Sequence, residues 1–442
     1  MSFLKKYFTS KNDVPSFPMS LSSDKSEYDV TYKIPKMAFQ LIGIRFTCDD
    51  SPFKKSLWNA FYWFEFANIF IVLILEIIAM MLTVSDGSFT VLFTVTPCIG
   101  YVLLGMVKSY KFVYYRPVYE NLMSELRAMW PQSVDTEEEY NVIRTALTEL
   151  KVIERGYYYS HAVLMIIFNA PSAISCIRRA FGEEIPRNLI FPYWLPFDPH
   201  QCWIFEFIIM TQIWHTFIII CVLLGADLFF FIFLSHITSQ FHLLAMRINK
   251  LFHVKIDDQL IQEYPLGKYS NDLCKEDIDS ISKNEWEAIC QKKLVEVILR
   301  HRDLIRLSND VENQFTFPLL INFLVSSILI CFCVFCCVFV EKWNEMNYKC
   351  FLITATLQIS LLCLYGQRLL DASTSVADAV YCSGWYNVPT KIKTSLIILL
   401  YRAQKAVYVT TYGFSIVCLP SYATILKTSW SYLMLLVNVF KE

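Results

Sequence analysis

The sequence predicts an all-α membrane protein with seven transmembrane helices, inverted topology (N-terminus cytoplasmic, C-terminus extracellular) and a cytoplasmic helical anchor bundle. Composition is the first indication, because 55% of the residues are hydrophobic and only 18% are charged, whereas about a quarter of the residues of a soluble domain are charged. Long apolar segments are the second indication. The predicted spans are residues 57–83, 89–107, 157–177, 203–235, 317–340, 350–366 and 406–440.

Basic residues alternate between the loops and predict the orientation. The N-terminal segment and the second, fourth and sixth loops carry 32 Lys and Arg residues, whereas the other loops and the C-terminal tail carry 6. Positive charge keeps a loop on the cytoplasmic side. The fourth loop is long enough for its charges to count less, yet the remaining loops still give 21 against 6. This orientation is the inverse of that of a G-protein-coupled receptor.

The first span carries two carboxylates in otherwise apolar sequence. Glu65 and Glu76 lie eleven residues apart, which brings both to one face of a helix. Ionisable groups in a bilayer usually face the bundle interior or water. The alternative is that they form hydrogen bonds between helices without a direct role in function.

The third span contains Asn169 and Pro171. Because proline lacks an N–H and bends a helix, we predict a break here, and such breaks often border a cavity. The segment FPYWLPFDP, residues 191–199, follows this span and predicts an extracellular lid rich in proline and aromatic residues.

The fourth span is predicted to continue as an amphipathic cytoplasmic helix. After a polar insertion, about residues 255–283, a second amphipathic helix leads into the fifth span. Long helices with one apolar stripe need a packing partner, so we predict a cytoplasmic bundle that also forms a subunit interface. The predicted organisation is 1–56 (cytoplasmic N-terminal segment), 57–235 (helices one to four), 236–316 (anchor extension), 317–366 (helices five and six), 367–405 (anchor helices) and 406–442 (helix seven).

Catalytic and cofactor chemistry is not indicated. The chain has no Gly-rich phosphate loop and no Ser/His/Asp spacing, and its 7 His residues are scattered, so we expect neither an enzyme nor a cofactor. Cys331, Cys333, Cys336 and Cys337 lie in an apolar run without a nearby His, which favours packing over a metal site. The net charge of −1 without a basic stripe argues against nucleic acid as a partner.

The C-terminal part of the chain resembles the signature of the insect odorant receptor family. The matching residues are Gly366, Ser373, Val376, Ala379, Tyr381, Trp385, Tyr386, Arg402, Gln404, Thr411, Gly413, Ile425, Lys427, Ser429, Ser431 and Tyr432. Ala406 stands where the family usually has Pro, and Pro420 is expected to affect how the last helix begins.

The resemblance implies the odorant-binding subunit of a ligand-gated non-selective cation channel. Four subunits, some of them an olfactory co-receptor, would each give their last helix to a central pore in the plasma membrane of a sensory neuron dendrite. The ending of this chain is more similar to the odorant-tuned subunits than to the co-receptor.

The resemblance also implies two sets of site residues. Leu435, Asn438 and Val439 align with the family's gate, and their spacing puts them on one helical face; ordinary bundle packing is the alternative. A volatile small molecule is expected between spans two, three, four and six, in the outer half of the bundle, although any single candidate is more often a core residue than a ligand contact. The candidates are Phe93, Thr96, Phe168, Asn169, Ser172, Phe207, Met210, Thr211 and Thr356.

Two other receptor classes remain as alternatives. A gustatory-type receptor channel would carry Gln-Phe after Thr411-Tyr412, and the chain instead has GFSIVCL there. A G-protein-coupled receptor is opposed by the charge topology and by the absence of Asp-Arg-Tyr after the third span and Asn-Pro-x-x-Tyr in the seventh.

Overall fold

The structure, a computed structural model, describes residues 25–46, 51–85, 89–131, 137–187, 189–191, 194–198, 201, 203–251, 283–339 and 345–441. Within these ranges the regular structure is helical, apart from an isolated antiparallel bridge between Thr410 and Ile416. The α-helices are α1 (Ser26–Thr31), α2 (Lys33–Leu41), α3 (Pro52–Ser85), α4 (Phe89–Tyr114), α5 (Arg116–Met129), α6 (Glu137–Ala180), α7 (Ile204–Asn249), α8 (Lys283–Phe339), α9 (Glu345–Cys382), α10 (Thr390–Ala403) and α11 (Leu419–Lys441).

Five of the described helices contain a stretch long and apolar enough to cross a membrane. They are α3, α6, α7, and the parts Cys290–Cys337 of α8 and Met346–Cys382 of α9. A helix needs about 20 mainly apolar residues to span the hydrocarbon layer. The chain is therefore built as a multi-pass membrane protein.

Helix α7 forms the centre of the bundle. Its apolar residues cover all sides of the helix, and 94% of its most apolar stretch is buried within the chain. A helix that is hydrophobic all round must be surrounded by other elements, and α2, α4, α6, α8 and α9 pack against α7. The helix continues to Asn249 without interruption, which confirms the predicted helical extension of the fourth span.

The short N-terminal helices are fixed to the bundle. Tyr28 Oη donates a hydrogen bond to the carbonyl oxygen of Met123 at 2.8 Å and lies 2.9 Å from Tyr32 Oη. Arg127 donates from Nε and Nη2 to the two carboxylate oxygens of Asp29, each at 2.8 Å. These contacts attach α1 to α5, and α2 packs along α7.

Two predicted features of the chain need correction. Asn169 and Pro171 do not break the third span, because α6 runs as one helix from Glu137 to Ala180; a proline removes only one backbone hydrogen bond. The seventh span begins later than residue 406, because the helix starts at Leu419.

A turn precedes this last helix. Thr411 N–H donates to the Ser415 carbonyl at 2.8 Å, Val417 N–H donates to the Val409 carbonyl at 2.8 Å, and Gly413 has a φ of 78°. Pro420 stands in the first turn of α11, where its missing N–H has no intrahelical partner to lose. Most of the predicted polar insertion, residues 255–282, lies outside the described residues.

Candidate ligand-binding cavity

A cavity of about 60 Å³ lies within the helical bundle, between α3, α4, α6, α7 and α9. Its wall is mostly apolar, with a few polar side chains, as in typical small-molecule sites. The lining residues are Ile69, Val72, Glu76, Cys98, Tyr101, Val102, His161, Leu164, Phe168, Phe191, His215, Thr216, Ile219, Ile220, Leu223 and Phe351.

Aromatic rings form one side of this cavity. Phe168 packs edge-on against Phe351 with ring centroids 4.4 Å apart, and Tyr101 stacks on Phe351 at 5.1 Å. Phe191, which belongs to the segment after α6, stacks on Phe168 at 6.1 Å. These rings give a small apolar molecule flat surfaces for dispersion contacts.

Gln212 fastens the segment that carries Phe191. The Ile190 N–H donates to Gln212 Oε1 at 3.0 Å, and Gln212 Nε2 donates to the Phe191 carbonyl at 2.9 Å. The Gln212 side chain belongs to a fully buried residue of α7. One amide group therefore satisfies two backbone groups and holds Phe191 at the cavity.

Three polar side chains at the cavity wall are buried without a hydrogen-bond partner among the described residues. They are Glu76, through Oε2, Tyr101, through Oη, and His215, through both ring nitrogens. These residues are 2%, 6% and 8% exposed. Because more than nine-tenths of buried polar groups in proteins are hydrogen-bonded, the unused hydrogen-bonding capacity of these atoms distinguishes them from the rest of the wall.

A buried polar network adjoins the cavity and was missed by the sequence analysis. Asp227 of α7 accepts hydrogen bonds from Lys108 Nζ at 2.5 Å, Tyr157 Oη at 2.8 Å and Gln358 Nε2 at 2.7 Å. His161, a cavity residue, has its ring centroid 4.3 Å from that of Tyr157. The lone Asp in the run LLGADLFFF was the available sequence signal, because a carboxylate in such a run needs a partner.

Both carboxylates of the first span face the bundle interior, which confirms their predicted orientation. Glu76 lines the ligand cavity, and Glu65 lines a separate cavity of about 20 Å³ beside Tyr62 and Ser109. Ile69 and Ile219 belong to the walls of both cavities.

The structure brings one of the sequence-predicted pocket residues, Phe168, to the cavity wall. Phe207 and Met210 are not brought to it, since they are 70% and 67% exposed. The inward face of α7 is instead formed by Ile208, Gln212 and His215, and residues one or two positions away point outward.

The other predicted pocket residues lie beside the cavity or outside the described side chains. Asn169 is buried but donates to the Met165 carbonyl at 2.8 Å. Thr96 and Thr211 donate to carbonyls of their own helices, at 2.6 Å to Leu92 and 2.7 Å to Ile208. Three residues complete the set: Ser172 and Thr356 are half-buried outside the lining, and the side chain of Phe93 is outside the described part.

The predicted gate residues lie on α11. Leu435 is 61% exposed and Asn438 is also exposed in the single chain, while the side chain of Val439 is outside the described part. The opposite face of α11 packs on α8, where Ser429 Oγ donates to the Ser327 carbonyl at 3.0 Å. Within the described part of the chain, one face of the last helix is therefore uncovered.

Several of the C-terminal signature residues have structural roles. A Cβ added at Gly366 would lie 2.1 Å from the Val417 carbonyl oxygen, so only glycine fits there. Ser373 Oγ accepts a hydrogen bond from the Val407 N–H at 2.9 Å. These contacts fix the turn before α11 against α9.

Comparisons with known proteins agree with this architecture. Odorant receptor 85c of Drosophila melanogaster is 24% identical over 411 residues, which cover 90% of this chain and 96% of the relative. Odorant receptor 67c of the same species is 24% identical over 416 residues, which cover 93% and 96%. The structure of the insect olfactory receptor OR5 from Machilis hrabei in complex with eugenol matches with a TM-score of 0.76 at 16% identity and covers 94% of this chain and 100% of that chain. A family model described as "7tm Odorant receptor" matches residues 88–430, and the chain therefore belongs to the odorant receptor family, a family of membrane receptors and not of enzymes.

Proposed function

We propose that this chain is the odorant-tuned subunit of a ligand-gated non-selective cation channel that assembles with an olfactory co-receptor. The observation that carries the proposal is the aromatic cavity within the helical bundle, closed on one side by Phe191. A volatile ligand would gain dispersion contacts from Phe168 and Phe351. The match in fold to a receptor solved with eugenol supports a small organic ligand.

The proposed topology has seven spans, with the N-terminus cytoplasmic. In addition to the five long apolar stretches, α4 covers the second predicted span, and α11 covers the seventh predicted span from Leu419 onward. The alternation of basic loops supports this orientation. We expect the protein in the plasma membrane of a sensory neuron dendrite.

The uncovered face of α11 supports the proposed pore. In a tetramer with the co-receptor, Leu435, Asn438 and Val439 would face the central axis, and apolar side chains in a narrow pore exclude water. The ligand would open this gate only if it bound the open state more tightly than the closed state. The parts of α7, α8 and α9 that are predicted to be cytoplasmic would form the anchor between subunits, together with α10.

Whole-cell currents under candidate volatiles, with and without an olfactory co-receptor, test this proposal. With the co-receptor, we expect a rapid inward cation current that persists when G proteins are blocked. Phe168→Ala should raise the half-maximal odorant concentration by about 10-fold or more, because it removes a cavity wall. Phe207→Ala, a matched change at an exposed site, should leave it unchanged.

The gate is tested separately by Leu435→Ala and Asn438→Asp. We expect the first to increase leak current and the second to change the preference among cations, since a carboxylate in a pore attracts cations. Currents that require second messengers, or equal effects of the two phenylalanine variants, would contradict the proposed function.

A further inference from the structure

The polar atoms without partners in the ligand cavity point to a particular head group. Glu76, Tyr101 and His215 come from α3, α4 and α7, so three helices each contribute one buried polar side chain to the wall of the same cavity. The remaining wall is dominated by aliphatic and aromatic side chains. A ligand that fits this cavity has an apolar body and one compact polar group.

The three side chains together need both a donor and an acceptor. A carboxyl group keeps at least one acceptor oxygen in either protonation state, a tyrosine hydroxyl donates and accepts, and a neutral imidazole has one donor and one acceptor nitrogen. The Glu76 carboxyl group therefore offers an acceptor oxygen to a ligand donor, and Tyr101 Oη can donate to a ligand acceptor. A hydroxyl group performs both functions with a single oxygen atom.

We propose that this cavity selects volatile alcohols over ethers and carbonyl compounds of the same size. The proposal deepens the odorant-binding function proposed above and rests on it. The alcohol oxygen would donate to Glu76 and accept from Tyr101 or His215, and its hydrocarbon part would pack on Phe168 and Phe351.

Other head groups match the cavity less well. An ether or ester only accepts hydrogen bonds and would leave an acceptor oxygen of the Glu76 carboxyl group buried without a donor, which is costly. A carboxylate ligand would meet Glu76, and among the described lining residues there is no Lys or Arg to offset its charge. An amine could donate to Glu76, and the experiment below separates it from an alcohol.

Binding to the purified full-length chain tests the proposal without relying on channel current. The probes are 1-heptanol, hexyl methyl ether, heptanal and heptylamine, which have the same number of heavy atoms. Because a ligand that binds the native state raises the unfolding temperature with concentration, thermal titrations give apparent Kd values. We expect 1-heptanol to bind at least about 10-fold more tightly than the ether, since a site built for a hydroxyl rejects analogues that lack it.

Single substitutions test whether Glu76 and Tyr101 cause the preference for alcohols. Glu76→Leu and Tyr101→Phe should reduce the alcohol preference, whereas Glu76→Gln should retain it because the amide keeps an acceptor oxygen. Glu65→Leu, on the same helix but in the wall of the smaller cavity, is the matched control and should leave the preference unchanged. If a variant does not fold, the wild-type series alone decides.

Three outcomes would overturn the proposal: equal binding of alcohol and ether, a preference for heptylamine that Glu76→Gln removes, or no binding by any probe. Alcohol binding without an odour-evoked current would instead count against the channel function and leave the alcohol preference standing.

Discussion

Lys108 Nζ lies 2.5 Å from Asp227 Oδ1, and both side chains are buried. The same carboxylate accepts hydrogen bonds from Tyr157 and Gln358, so one group of α7 connects α4, α6 and α9. Each acceptor oxygen of Asp227 has a partner. The network therefore fixes the relative positions of four of the five helices that surround the ligand cavity.

Removing one charge of this pair should lower the stability of the fold more than removing both charges. We expect Asp227→Leu or Lys108→Met to lower stability by about 3–5 kcal/mol, because each leaves an unpaired charge in the bundle. The double variant should recover part of that loss. Thermal unfolding of the purified protein in detergent measures this, and additive losses in the double variant would contradict it.

Gly366 should be intolerant of even a methyl group. Gly366→Ala would place its Cβ 2.1 Å from the Val417 carbonyl oxygen, so the turn before α11 would have to move. We expect strongly reduced amounts of folded protein at the cell surface, measured by surface labelling.

Gly156→Ala is the control for this substitution. Gly156 lies inside α6, and a Cβ added there would have nothing within 4 Å, while alanine favours a helix over glycine by about 1 kcal/mol. Surface expression of this variant should equal or exceed that of the unmodified chain. Equal losses in the two variants would mean that contact with Val417 is not the cause.

The positions of the long helices could be predicted from the sequence because apolar length and helical periodicity are local properties. The inward direction of Glu65 and Glu76 could also be predicted, because a carboxylate that faces lipid is energetically costly. The turn before the last helix lies against a distant residue, because Val417 contacts Gly366, and no local pattern contains such a contact.

The pocket residues were harder to predict for a similar reason. Apolar residues lie on every side of α7, so hydrophobicity does not distinguish the face toward the cavity, and Phe207 and Met210 were assigned to it although they are exposed. Asp227 and Gln212 act through partners on other helices and in the segment after α6. Such contacts depend on how the helices pack together, so they cannot be predicted from the sequence of one helix.

The ion pair between Arg306 and Glu125 should make stability depend on acid pH. A hydrogen bond from Arg306 lowers the pKa of Glu125 below its ordinary value, against a smaller opposing effect of burial. A carboxylate whose pKa is lower in the folded state contributes stability above its unfolded pKa, about 4.3, and loses that contribution as pH falls through the folded pKa.

Arg306→Met should therefore make the folding stability decrease less steeply as the pH falls. Removing the guanidinium returns the pKa of Glu125 toward its usual range, so the variant should lose less stability than the unmodified chain between neutral pH and pH values below about 4.3. Unfolding temperatures across this range measure the effect. Arg302→Met, which removes an exposed pairing with the neighbouring Asp303, is the control, and an identical change in both profiles would contradict the assignment.

Gln212 should determine how long a ligand stays in the cavity. Gln212→Leu places an apolar side chain of similar size at this position of α7 and leaves the Ile190 N–H and the Phe191 carbonyl without their amide partner. We expect Phe191 to close the cavity less firmly, so that current after odorant removal decays faster by on the order of 10-fold, as expected for the loss of two hydrogen bonds. Gln367→Leu is the matched control, because the Gln367 amide bonds only Asp371 one turn along α9. Unchanged decay in Gln212→Leu would mean that the segment carrying Phe191 does not retain the ligand, and entry would then have to be sought between the helices.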